Sequence, residues 1–110
     1  MISARKLFMS DGIFRMHRAG HLQSPTLAYE TWGELNSAKD NAILIFAGLS
    51  PSAHAASSEG DMTPGWWEVM FGSGLPIDTD HYFGICVDSL GSCFGSTGPE
   101  SVDPETGERA

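Results

Sequence analysis

The residues best placed to do chemistry lie in Gly48-Leu49-Ser50-Pro51-Ser52. This stretch comes within one residue of the G-x-S-x-G nucleophile elbow, with Ser52 standing in place of the last glycine. In that elbow the residue after the serine donates its backbone N–H to the oxyanion of an acyl-transfer intermediate. Here that residue is Pro51, which has no N–H to donate. Ser50 is therefore a poor nucleophile, and Pro51 to Ala56 opens no clear helix behind it. Another role suits the stretch better. The backbone N–H near Leu49 points into a site as one half of an oxyanion hole, and Gly48, Leu49, Ser50 and Pro51 line the substrate. On this stretch alone an ordinary strand-to-loop turn is the plainer alternative.

The other candidates are weaker. His17, His21, His54 and His81 have no metal-ligand spacing relative to one another or to the two cysteines, so no metal is expected. His54 stays open as a residue lining the same cavity, because it follows the Gly48–Pro51 loop. Gly91 to Gly98 is rich in glycine and serine, but no lysine follows it and no helix-forming run opens there, so it is not a phosphate loop. Gly91-Ser92-Cys93-Phe94-Gly95 also fails the elbow pattern, since its third residue is a cysteine. Cys93 is read as structural or adjacent to the site. Trp66 and Trp67 lack interleaved basic residues and are read as packing anchors.

These loops need strands to hold them. Ala42 to Ala47 is an unbroken apolar run, as expected of a strand buried on both faces of a mostly parallel sheet. Tyr82 to Val87 is a second such run, and each discharges into a small-residue loop. Ligands sit outside the carboxyl ends of strands in open α/β sheets, so both loops are expected to face one site. Ahead of them, Phe14–His17 and Thr26–Gly33 alternate in polarity and read as an antiparallel hairpin. The sheet thus begins antiparallel and turns parallel inside. Thr63 and Pro64 suit a helix start, which predicts a short helix to about Met70. Met1 to Gly12 shows no period and reads as a loosely attached start to a domain over residues 13–110. Glu100–Ala110 reads as a linker or exposed loop. Two buried strands need covering on both faces, and roughly thirty residues of crossover are missing after each. The chain reads as unfinished.

Composition narrows the partners. Across 110 residues, fourteen acidic against six basic side chains leave a net charge of −8. That disfavours nucleic acid and anionic membranes, which select clusters of lysine and arginine. The longest apolar run is far short of the roughly 20 residues of a membrane span, and no signal peptide is visible. Cys86 and Cys93 are too few for a disulfide framework, and a reducing, cytoplasmic setting is expected.

Several blocks together carry a resemblance. Tyr29-Glu30-Thr31-Trp32-Gly33-Glu34-Leu35-Asn36, Asp40-Asn41-Ala42-Ile43-Leu44, Pro64-Gly65-Trp66-Trp67, Ile77-Asp78-Thr79-Asp80, Ile85-Cys86-Val87 and Leu90 to Pro99 resemble the homoserine O-acetyltransferase family, in order and spacing. The resemblance implies the N-terminal part of an α/β-hydrolase sheet, without the nucleophile elbow or the lid. It implies transfer of an acyl group from acyl-CoA, as co-substrate and with no other cofactor, to the hydroxyl of homoserine or serine. The family's Ser-His-Asp triad and the helical lid associated with a homodimer have no matching positions here. Leu49 is similar to the residue that donates an oxyanion-hole N–H. Acetyltransferases commonly show a His-Ala-Leu-Thr-Gly-like stretch where this chain has Phe46 to Ala55. Its Gly48-Leu49-Ser50-Pro51 and Ala53-His54-Ala55 resemble the serine O-succinyltransferase branch instead, which favours succinyl transfer to serine. An α/β-hydrolase esterase and a non-catalytic remnant are the alternatives.

Overall fold

A computed structural model describes residues 4–48, 51–92 and 94–98. Leu49, Ser50, Cys93 and residues 99–110 lie outside the described residues. Among the described residues eight strands form: β1 (Lys6–Met9), β2 (Ile13–Arg15), β3 (His21–Gln23), β4 (Thr26–Trp32), β5 (Ala42–Phe46), β6 (Phe71–Gly72), β7 (Ile77–Asp78) and β8 (Phe83–Val87). The main sheet runs β1-β4-β8-β5. Its first two pairings are antiparallel and the last, β8 with β5, is parallel. The expected switch from an antiparallel start to a parallel interior is therefore present.

Four local expectations are corrected. Lys6–Met9 is an edge strand of the main sheet, where the sequence suggested a loose start. The hairpin forms between β2 and β3, not between β2 and β4. Gly20, at φ +82°, supplies the left-handed turn residue that closes it, and β4 is left free to pair with β1 and β8. Only one 3-10 turn, Glu68–Met70, forms in the segment expected to be a helix. The N–H groups of Trp66 and Trp67 bond to His54 O and Ala55 O, and that of Gly65 to the Glu68 carboxylate, which lays the segment along the chain that follows β5. Finally, β5 is covered on one face only, with Leu44 55% and Phe46 74% exposed.

That last point divides the sheet into a packed face and an open one. Side chains alternate across strands, so Ala28, Glu30 and Trp32 of β4 share a face with Gly84 and Cys86 of β8 and with Ile43 and Ile45 of β5. Ala55, Ala56, Phe71 and Ile77 pack on this face against Trp32 and Cys86. The Trp32 and Phe71 rings lie 4.6 Å apart, and Trp32 Nε1 donates to Ser57 O at 3.0 Å. On the opposite face, Phe8, Leu27, Tyr29, Ile85 and Val87 line a shallow apolar hollow of about 220 Å³, continued by Leu44 and Phe46.

Candidate functional site: the carboxyl edge of the parallel pair

Because β5 and β8 are parallel neighbours with Phe46 opposite Val87, both chains leave the sheet at the same edge. Ala47 N donates to Val87 O at 3.1 Å, and Ser89 Oγ donates to Ala47 O at 2.9 Å. The two small-residue loops therefore start side by side, as the sequence led us to expect. Gly48 is exposed there, and Pro51 is half-buried on the far side of the two residues between them. Leu49 and Ser50 fall outside the described residues.

The loop after β8 is shaped by its own serines. Asp88, fully buried, donates its N–H to Ala28 O at 2.8 Å. Its Oδ2 accepts from Ser92 Oγ and from Ser96 N. Ser96 Oγ donates to Asp88 O at 2.8 Å and accepts from Ala28 N at 2.9 Å. Thr97 N donates to Thr26 O at 2.7 Å, and Thr26 N donates back to Thr97 Oγ1 at 2.8 Å. The glycines and serines thus fold the loop back onto the start of β4. Gly98 leaves no room for a Cβ, which would strike Ser92 O.

The loop after β5 is pinned by charge. His54 Nδ1 lies 2.8 Å from Glu30 Oε1, and Nε2 lies 2.7 Å from Thr63 O. Asp61 Oδ2 is 3.7 Å from Nδ1. Burial alone would lower the His54 pKa, but the Glu30 hydrogen bond, the Thr63 carbonyl and the nearby carboxylates together raise it above its ordinary value. His54 is therefore engaged in the wall beneath the loop, with both ring nitrogens occupied. Glu68 ties the same segment from the other side. Its carboxylate accepts from Gly65 N at 2.7 Å and Ser57 N at 2.8 Å, and these bonds with Ser57 Oγ hold its pKa low.

Two residues of this site were missed in the sequence, and one of them left a signal. Glu30 is 3% exposed and occupies the buried parity of β4 between Ala28 and Trp32. A charge on the apolar side of an alternating strand marks a buried partner, which proves to be His54. Asp88 had no comparable signal, since its burial arises from the loop folding over it. Of the other candidates, Cys86 is buried and its thiol is pushed up to about 11 by desolvation, with Glu30 and Asp88 adding to the shift. Trp66 and Trp67 stack at 5.7 Å and Trp67 packs edge-on against Phe71, while both rings stay partly exposed. Among the described residues no cluster of three or more histidine, cysteine or acidic side chains could hold a metal. A cleft of about 740 Å³ opens beside Thr31, Trp32, Ser57, Glu68 and Thr79. It lies towards the Trp32 end of β4, which pairs with the amino end of β8, and so away from the edge where the two loops leave the sheet.

Comparison with known proteins addresses what such an edge serves. The chain is 60% identical over 108 residues to a serine O-succinyltransferase of Litchfieldella anticariensis, a match covering 98% of this chain and 29% of that protein. It is 58% identical over 106 residues to an L-serine/homoserine O-acetyltransferase of Streptomyces lavendulae, covering 96% of this chain and 28% of the relative. The resemblance read from the sequence holds. The chain spans under a third of the length of these relatives. No family model matches it. Among solved structures, homoserine O-acetyltransferase from Bacillus anthracis superposes with a TM-score of 0.83 at 33% identity, over 96% of this chain and 30% of that one. Esterase E22 superposes with a TM-score of 0.82 at 34% identity, over 99% of this chain and 31% of its own. The fold is part of an α/β-hydrolase. Among the described residues no helix is long and apolar enough to cross a membrane.

Proposed function

We propose that the complete gene product containing this chain is an O-acyltransferase that moves an acyl group from acyl-CoA to the hydroxyl of serine or homoserine in amino-acid biosynthesis. The observation that carries this is the 60% identity to a serine O-succinyltransferase across 98% of the chain. Its Gly48-Leu49-Ser50-Pro51 loop favours succinyl as the acyl group and serine as the acceptor. The mechanism is ping-pong. A serine Oγ outside this chain attacks the thioester carbonyl, the C–S bond breaks, and CoA leaves as the thiol. The acceptor hydroxyl then attacks the acyl-serine, loses its proton to a histidine, and frees the serine. Leu49 N–H donates to the oxyanion in both steps, a role supported by its similarity to the family's oxyanion-hole residue and by its following Gly48 in the sequence. Acyl-CoA is a co-substrate, no other cofactor takes part, and the enzyme works as a cytoplasmic homodimer.

The test is CoA release by the purified gene product, with succinyl-CoA and acetyl-CoA each offered serine and homoserine. Faster turnover of succinyl-CoA with serine is expected. Preference for acetyl-CoA and homoserine would overturn the choice of substrates. A second reading, an esterase, draws on the equal likeness to esterase E22. Hydrolysis of simple esters, with no CoA-dependent transfer, would favour it. Absence of both activities would leave the chain as a non-catalytic remnant.

A further inference from the structure

We infer that His54 is a positioning residue, held as an imidazolium between Glu30 and Thr63 so that the chain following β5 keeps the acyl-transfer loop in place. The inference rests on the acyltransferase reading of that loop. Its basis is the chemistry of the two contacts. Nδ1 faces the Glu30 carboxylate at 2.8 Å and Nε2 faces the Thr63 carbonyl at 2.7 Å. An ionised carboxylate and a carbonyl only accept, and the Thr63 hydroxyl, 3.2 Å from Nε2, donates its proton to Asp61 Oδ1 at 2.6 Å, so both ring nitrogens carry protons when both bonds are made. The resulting positive charge compensates Glu30, which is buried on the packed face of β4.

The same residue is held through its backbone. His54 N donates to Ser52 Oγ at 3.1 Å, and His54 O accepts from Trp66 N at 3.3 Å. Ser52 O in turn accepts from Trp66 Nε1 at 2.8 Å. Ser52 adjoins Pro51, so the pin acts within a few residues of the loop. The pair ties the centre of the sheet to the chain from Ser52 to His54.

The groups facing this ring are all acidic or neutral. Glu30 comes from β4, Asp61 from the loop before Thr63, and Glu68 from the 3-10 turn; Cys86 of β8 lies next to Glu30. With its pKa raised in the folded state, His54 contributes stability that is complete below its ordinary value of 6.5 and is lost as pH rises through the higher folded value. Loss on the alkaline side is the signature.

Imidazole N–H resonances and steady-state kinetics of the complete gene product test this. The wild-type His54 ring is expected to carry protons on both nitrogens at pH 6, and kcat is expected to fall on the alkaline side as that ring loses one. His54→Gln keeps one donor but no charge. Its kcat should drop about 10-fold with the acyl-CoA KM nearly unchanged, and the alkaline fall should disappear. A neutral ring at pH 6, or a folded His54→Gln enzyme with wild-type kcat, overturns the inference. If the variant does not fold, the wild-type profile decides, and a kcat indifferent to the ring's deprotonation overturns it. A wild type without acyl transfer sinks the function instead, and the ring protons then judge the charged pair alone.

Discussion

Glu30 shows how one side chain can organise a region. A carboxylate on the buried parity of a strand is costly unless a charge meets it, and here the loop after β5 brings His54 to do so. His54 was open as a cavity-lining residue in the sequence. The geometry gives it a partner on each nitrogen and turns it from a reagent into a fastener. Cys86, opposite Glu30 across the sheet, illustrates the opposite outcome. Desolvation pushes the thiol up to about 11, so almost none is thiolate near neutral pH. In the folded gene product Cys86 is expected to resist alkylation by iodoacetamide at pH 8 and to react fully once denatured, as read by mass spectrometry of its peptide. Rapid labelling of the folded protein would show that the thiol is not buried.

Elements here are made as much by neighbours as by propensity. Pro64 to Met70 carries start signals for a helix, yet it forms a single 3-10 turn and lies along the segment from His54 to Ser57, with Trp66 N and Trp67 N donating to His54 O and Ala55 O and Ser57 N donating to the Glu68 carboxylate. That close approach depends on Gly65. A Cβ there would collide with the backbone of Ala55 and Ala56. Gly65→Ala in the complete gene product is expected to cost about 1–3 kcal/mol, the usual penalty for overpacking a tight contact. Thermal or urea unfolding would measure it, and a neutral substitution would show that the two segments do not touch. The loop after β8 follows the same logic, with serines and threonines replacing a ladder partner along the start of β4.

At the scale of the molecule, the sheet is half a core. Phe8, Leu44 and Phe46 lie exposed on one face, while the other packs against Phe71, Ile77 and the alanines after β5. Contiguous apolar surface of this kind promotes association. Residues 1–110 expressed alone are expected to self-associate on size exclusion, and Phe46→Ser to reduce the associated fraction. A monomeric product with a sharp melt would contradict this. The sequence by itself determined the strand runs Ala42–Ala47 and Tyr82–Val87, their parallel sense, the loops at their ends and the likeness to O-acyltransferases. These are properties of local apolar runs and of motif order, which a chain carries wherever it folds. The tertiary structure alone decided which strand pairs with which, since Thr26–Trp32 could have closed a hairpin but pairs with β1 and β8. It also decided that a helix signal yields one turn and that Glu30 and His54 meet. Each of these depends on residues far apart in sequence competing for the same backbone bonds or compensating one buried charge, and no local pattern records the winner.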